Sequence, residues 1–124
     1  MKHDIQNRAD IELLVNTFYG KVQKSTIIGY IFNDIAQVDW GTHLPKMYDF
    51  WASLLLGEFS FKGNPMQKHI ALSKLTPITN TEFTEWLKLF NETVNELFVG
   101  EKAEEAKKRA GNIAKLLLHK IEHQ

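Results

Sequence analysis

Apolar residues return along this chain at helical spacing almost from end to end, and that period limits the fold more than any other property of the sequence. Ile11, Leu14, Val15, Phe18, Tyr19 and Val22 stand at i, i+3, i+4, i+7, i+8 and i+11, one face of a helix. Asp10, just ahead of that stripe, is the expected N-cap. Ile27, Ile28, Tyr30, Ile31 and Phe32 crowd around Gly29 and predict a short helical turn, followed by a polar connector. A third stripe, Met47, Phe50, Trp51, Leu54 and Leu55, stops before Gly57. Proline lacks an N–H and its ring strikes the preceding turn, so Pro45 is expected in the first turn of that helix. One helical step back from Met47 reaches His43, at the start of the stripe rather than on its polar side.

After Gly63, Asn64 and Pro65 read as the N-cap and first position of a short helix that carries His69, and Pro77 separates it from the next. Thr79 and Glu82 form a capping box. The helix behind them carries Phe83, Trp86, Leu87, Phe90, Val94 and Leu97, and Gly100 ends it. The last helix, from about Glu101 to Ile121, is expected to bury Ala106, Ala110, Ile113, Ala114 and Leu117. No alternating strand pattern or repeat interrupts this order. The expectation is a single all-α domain over residues 1–124 with one unusually short helix in the middle.

Composition narrows what such a domain can do. There is no cysteine, which removes iron–sulfur, thiolate-zinc and cysteine-nucleophile chemistry. Fifteen basic residues balance fifteen acidic ones, so there is no surplus of charge for a nucleic-acid backbone. The N-terminus lacks the apolar run of a signal peptide, and no stretch approaches the ~20 apolar residues that span a bilayer. These features predict a soluble, cytoplasmic protein with no membrane or nucleic-acid partner. Eight Phe, three Trp and three Tyr are many for so small a core, which suits a core that wraps something flat.

Several positions carry candidate chemistry. His69, beside Ile70 and Leu72 on a short loop-flanked helix, reads either as a packed histidine or as the axial ligand of a haem iron. Its spacing alone favours packing. His43 reads as a polar group over an apolar slot or as a helix-start residue facing water. Tyr19 and Trp86 lie on buried faces of two different helices. Each is commonly plain core, yet together they offer two hydrogen-bond donors to one bound ligand. Phe32, Met47, Phe50 and Trp51 read as core residues that would equally line a flat cofactor. His119 and His123 stand four apart, a zinc spacing with no third ligand nearby, and read as a solvated tail. The run from Glu101 to Arg109 reads as a solvated face with Glu–Lys pairs at helical spacing.

The order of these pieces is more specific than any one of them. Phe18-Tyr19, Ile31-Phe32-Asn33, His43-Leu44-Pro45-Lys46-Met47-Tyr48-Asp49-Phe50-Trp51, Gly63-Asn64-Pro65 with His69, and Glu85-Trp86-Leu87 together resemble a truncated (2-over-2) haemoglobin of group III. The likeness runs from about Asp10 to Ile121. It implies a sandwich of two antiparallel helix pairs, B/E and G/H, with a short proximal helix F, built around haem b. It assigns His69 as the proximal iron ligand, and Tyr19 and Trp86 as distal donors. His43 takes the distal position of helix E, where it acts as a gate. Phe32 packs on the porphyrin, Met47 follows one turn after the distal histidine, and Lys46 and Lys68 pair with the propionates.

The function this implies is binding of O2, NO or CO at a hydrogen-bonding distal site. An alternative is a haem enzyme for NO dioxygenation or peroxide chemistry, which would need an external reductase because no flavin or nicotinamide motif is present. A further alternative is a haem-free helical interaction module in which the aromatic stripes are only core.

Overall fold

The computed structural model describes residues 2–58 and 78–122. These form four long helices, α1 (Arg8–Lys24), α2 (Trp40–Leu56), α3 (Asn80–Leu97) and α4 (Glu101–Glu122), with a π-helical turn at Ile31–Ile35. Among the described residues there is no strand, only an isolated bridge between His3 and Phe98. The short helix expected around His69, with Gly63, Asn64, Pro65 and Pro77, lies outside the described residues.

Helix α1 buries the six residues its spacing selects. Its cap differs from expectation. Asn7, three residues before Asp10, accepts the Asp10 N–H at 3.1 Å, and the Asp10 carboxylate reaches back to the Gln6 N–H at 2.9 Å. Asp10 is therefore the reciprocal acid of the first turn, where a negative charge also meets the positive end of the helix dipole. Beyond Lys24 the chain turns back hard on the helix end. A Cβ on Gly29 would come within 2.9 Å of the Gln23 carbonyl oxygen, so only glycine lets the backbone pass there. The apolar patch behind it is divided: Ile28 and Ile31 are buried, while Ile27 and Tyr30 are exposed.

Helix α2 starts earlier than the proline rule suggests. Asp39 caps it, accepting from the Gly41 N–H and the Thr42 hydroxyl, both at 3.1 Å. This puts Pro45 in the second turn rather than the first. The bond that Pro45 cannot donate would go to Gly41, which is exposed, and this makes the departure tolerable. The helix ends at Gly57 in the left-handed conformation (φ +75°).

Side-chain pairs show that α1 and α2 run antiparallel. Arg8, at the start of α1, bonds Asp49 at 2.5 Å in the second half of α2 and Glu58 at 3.2 Å just beyond its end. Tyr48 donates to Asn16 at 2.5 Å in the middle. Tyr19 meets His43 and Trp40 at the start of α2. The second pair, α3 and α4, opens on the expected capping box, in which the Glu82 carboxylate accepts the Thr79 N–H at 2.6 Å. Helix α4 presents Ala103, Ala106, Ala110 and Ala114 inward, and these small residues let it pack closely on α3. Ile113 is only half-buried. The two pairs cross where α1 packs on α3, giving the 2-over-2 sandwich of a truncated globin.

The N-terminal segment ties this arrangement together. His3 bridges Phe98, and the Asp4 carboxylate accepts the Lys102 and Ala103 N–H groups at 2.9 Å each, capping α4 from outside. Gly100 (φ +140°) makes room: a Cβ there would lie 2.5 Å from the Asp4 Cγ. Partial burial opposes ionisation of Asp4, but the N–H groups of Lys102, Ala103 and Ile5 outweigh it, and its carboxyl stays below the ordinary aspartate value. A depressed carboxyl stabilises the fold above its unfolded pKa and loses that contribution as pH falls through the folded one. Asp4→Ala is therefore expected to cost about 1 kcal/mol in urea unfolding at pH 7, a typical cap value. The deficit should shrink once the pH drops below the folded pKa of Asp4.

Candidate functional site

Phe18 and Tyr19 are consecutive residues of α1, so their side chains diverge by about 100° around the helix. Phe18, fully buried, faces α3 and meets Trp86 (5.7 Å) and Phe90 (5.1 Å) edge-on. Phe90 in turn stacks on Trp51 of α2 at 4.8 Å and 21°. With Phe18 held against α3, Tyr19 is turned toward the start of α2 and the π-helical corner. Its ring lies 5.3 Å from His43 at 86°, 5.5 Å from Trp40 and 6.1 Å from Phe32. Three chain segments thus bring Tyr19, Phe32, Trp40 and His43 into one aromatic cluster.

The cluster is buried to different depths. Tyr19 is 5% exposed, and no described residue hydrogen-bonds its hydroxyl. Burial pushes the phenol well above its ordinary pKa of about 10, since a phenolate would be desolvated there. Tyr19 is therefore a neutral O–H donor across the physiological range. The Nε2 of His43 is also buried, although the residue as a whole is half-buried and sits beside exposed Thr42 and Lys46. His43 stands on the boundary between the cluster and solvent.

The remaining candidates fall at different depths. Phe32 and Trp86 are half-buried, Trp86 one ring away from Tyr19 through Phe18. Met47 and Phe50 are half-buried against the same core, with Phe50 edge-on to Trp51 at 5.4 Å. Trp51 is buried and stacked on Phe90, which makes it the spacer between α2 and α3. Lys46 is exposed. Lys68 and His69 lie outside the described residues, as does His123. His119 is exposed near the end of α4, and the described residues contain no group of three or more metal-ligating side chains.

Trp40 went unmarked in the sequence reading although a signal existed. It stands three residues before His43, one helical step, directly after an Asp able to cap. In the structure it stacks on Phe32 (6.1 Å, 28°) and meets His43 edge-on (5.6 Å, 82°).

A ring-lined region with a phenol that no described residue hydrogen-bonds suits a flat apolar group that carries a small polar ligand. Comparison with known proteins agrees with this chemistry. The sequence pattern of the bacterial-like globins matches residues 3–120. The chain is 37% identical over 117 residues to the group 3 truncated haemoglobin of Campylobacter jejuni, a match covering 92% of this chain and 90% of that protein. The crystal structure of a group III truncated haemoglobin from Campylobacter jejuni is similar, with a TM-score of 0.84 at 36% identity, covering 98% of this chain and 95% of the other. The chain thus belongs to the bacterial-like globin family and, within it, to the group III truncated haemoglobins. Membership of the globins implies a haem cofactor.

The unserved hydroxyl has a consequence for stability. Replacing it by hydrogen removes a polar group that no described residue hydrogen-bonds. In haem-free protein Tyr19→Phe is expected to leave the urea midpoint unchanged or raise it, by up to about 1 kcal/mol. A loss larger than that would mean the hydroxyl is already bonded within the fold.

Proposed function

We propose that this chain binds haem b and a diatomic gas such as O2, NO or CO, with His69 as the iron ligand and Tyr19 as the main donor to the gas. The observation that carries this reading is Tyr19, a buried residue whose neutral hydroxyl no described residue hydrogen-bonds. The distal side chains fit the group: rings to cover a flat apolar surface, and donors concentrated around Tyr19.

Haem, when bound, supplies an iron with an open coordination position for the gas. The protein's own part is electrostatic. Tyr19 donates a hydrogen bond into a region that excludes water, where the bond is stronger than in solvent. The Trp86 indole, a donor only, is the second candidate donor from the α3 side. His43 adds its buried Nε2 on the solvent boundary. Phe32, Met47, Phe50 and Trp51 supply apolar walls, and Lys46 and Lys68 are the cations offered to the propionates. The charge balance and the lack of a membrane-crossing helix among the described residues suit a cytoplasmic gas-binding protein.

Two measurements test the reading. Haemin titrated into purified protein is expected to give a Soret band, and His69→Ala is expected to lose it. Protein that develops no Soret band would overturn haem binding and leave a helical module. Hydrogen bonds to a charged acceptor are worth about 1.5–3 kcal/mol, and each ~1.4 kcal/mol is tenfold. Tyr19→Phe is therefore expected to speed O2 release at least several-fold, whereas an unchanged rate would remove Tyr19 from the role.

A further inference from the structure

His43 has two ring neighbours of different kinds. Tyr19 comes from α1 and is fully committed to the core. Trp40 comes from the same helix as His43, one turn earlier, and is half-buried. Trp40 is itself held on its other face by Phe32, at 6.1 Å and 28°, and its ring is tilted against Tyr19 at 5.5 Å. The imidazole meets both rings edge-on, at 82° and 86°. It is thus flanked by two rings, while Thr42 and Lys46, its neighbours along the helix, are exposed. Since Trp40 is the first residue of α2 and Asp39 fixes that helix start, the wall is anchored by the cap. Removing Trp40 would leave Tyr19 as one wall and open the other.

We propose that Trp40 is a positioning residue: braced by Phe32, it holds the His43 ring against Tyr19 and sets how readily His43 leaves the site for solvent. This rests on the gas-binding reading above for its consequence, but the contact itself does not depend on bound haem.

The experiment has two arms. In haem-free protein, His43 ring protons are identified by NMR from their loss in His43→Gln. Trp40→Leu keeps an apolar side chain and removes the aromatic face. It is expected to move the His43 signals toward free-imidazole positions, with Trp40→Phe lying between wild type and Trp40→Leu. In haem-loaded protein, Trp40→Leu is expected to speed CO entry about two- to tenfold, the range one ring contact is worth. In a His43→Leu background the same substitution should add no further acceleration, which a merely structural role for Trp40 would not produce. Unmoved His43 signals, or an equal acceleration with and without His43, would overturn the proposal. Should Trp40→Leu fail to fold by circular dichroism, the Trp40→Phe shift decides the contact. A chain that forms no Soret band counts against the gas-binding reading, while the NMR arm still judges the wall.

Discussion

The junction of Phe18 with Phe90 and Trp51 governs the rest of this structure. These three buried rings come from α1, α3 and α2, and their edge-on and stacked contacts fix how the two helix pairs cross. Rings of this size dominate a small core because each buries a large apolar area and tolerates few relative orientations. The rotation of α1 about its own axis is set by seating Phe18 there. A helix advances about 100° per residue, so seating Phe18 also decides where Tyr19 points. The polar end of the site is thus placed by an apolar contact that never touches it.

That placement leaves an imbalance. In most cores a buried phenol reaches water or a carbonyl, and here no described residue hydrogen-bonds the Tyr19 hydroxyl. The surrounding rings of Phe32, Trp40 and His43 meet it edge-on or tilted. The fold is stabilised elsewhere by ordinary means: the Arg8 pairs with Asp49 and Glu58, the Thr79–Glu82 box and the Asp4 cap on α4. Each is worth at most about 1 kcal/mol at such exposed positions.

Much of this was legible in the sequence because helical spacing is a local property. The buried face of α1 and the capping box of α3 each follow from residues within a few positions of one another. Distinctions that depend on geometry beyond one turn were harder. Asn7 and Asp10 are both good cap residues, and only the course of the preceding chain shows that Asn7 is the cap and Asp10 its reciprocal partner. The position of Pro45 misled because the rule concerns the carbonyl four residues back, and here that residue is an exposed glycine. Trp40 escaped notice since it lies ahead of the apolar stripe and its partners Tyr19 and Phe32 come from other segments. The role proposed for His69 rests on the ordered likeness to a family alone, as its own neighbours in the sequence suit ordinary packing.

The electrostatics of the cluster divide its side chains into fixed and variable members. Desolvation keeps Tyr19 a neutral donor at every ordinary pH, because ionising it would place a charge among aromatic rings. Its hydrogen-bonding capacity is consequently constant, and a pH dependence of ligand retention between about pH 5 and 9 has to arise from another group. It also cannot rotate out, since the ring is packed on all sides by α1, α2 and the π-helical corner. His43 differs in its freedom: it sits on the first turns of a helix, half-buried, with exposed neighbours. A donor fixed by the core next to one held at the solvent boundary separates two tasks that a single residue would confuse. In the proposed function, Tyr19 would set how strongly a ligand is held, and His43, through the wall that Trp40 makes, how easily the site is entered.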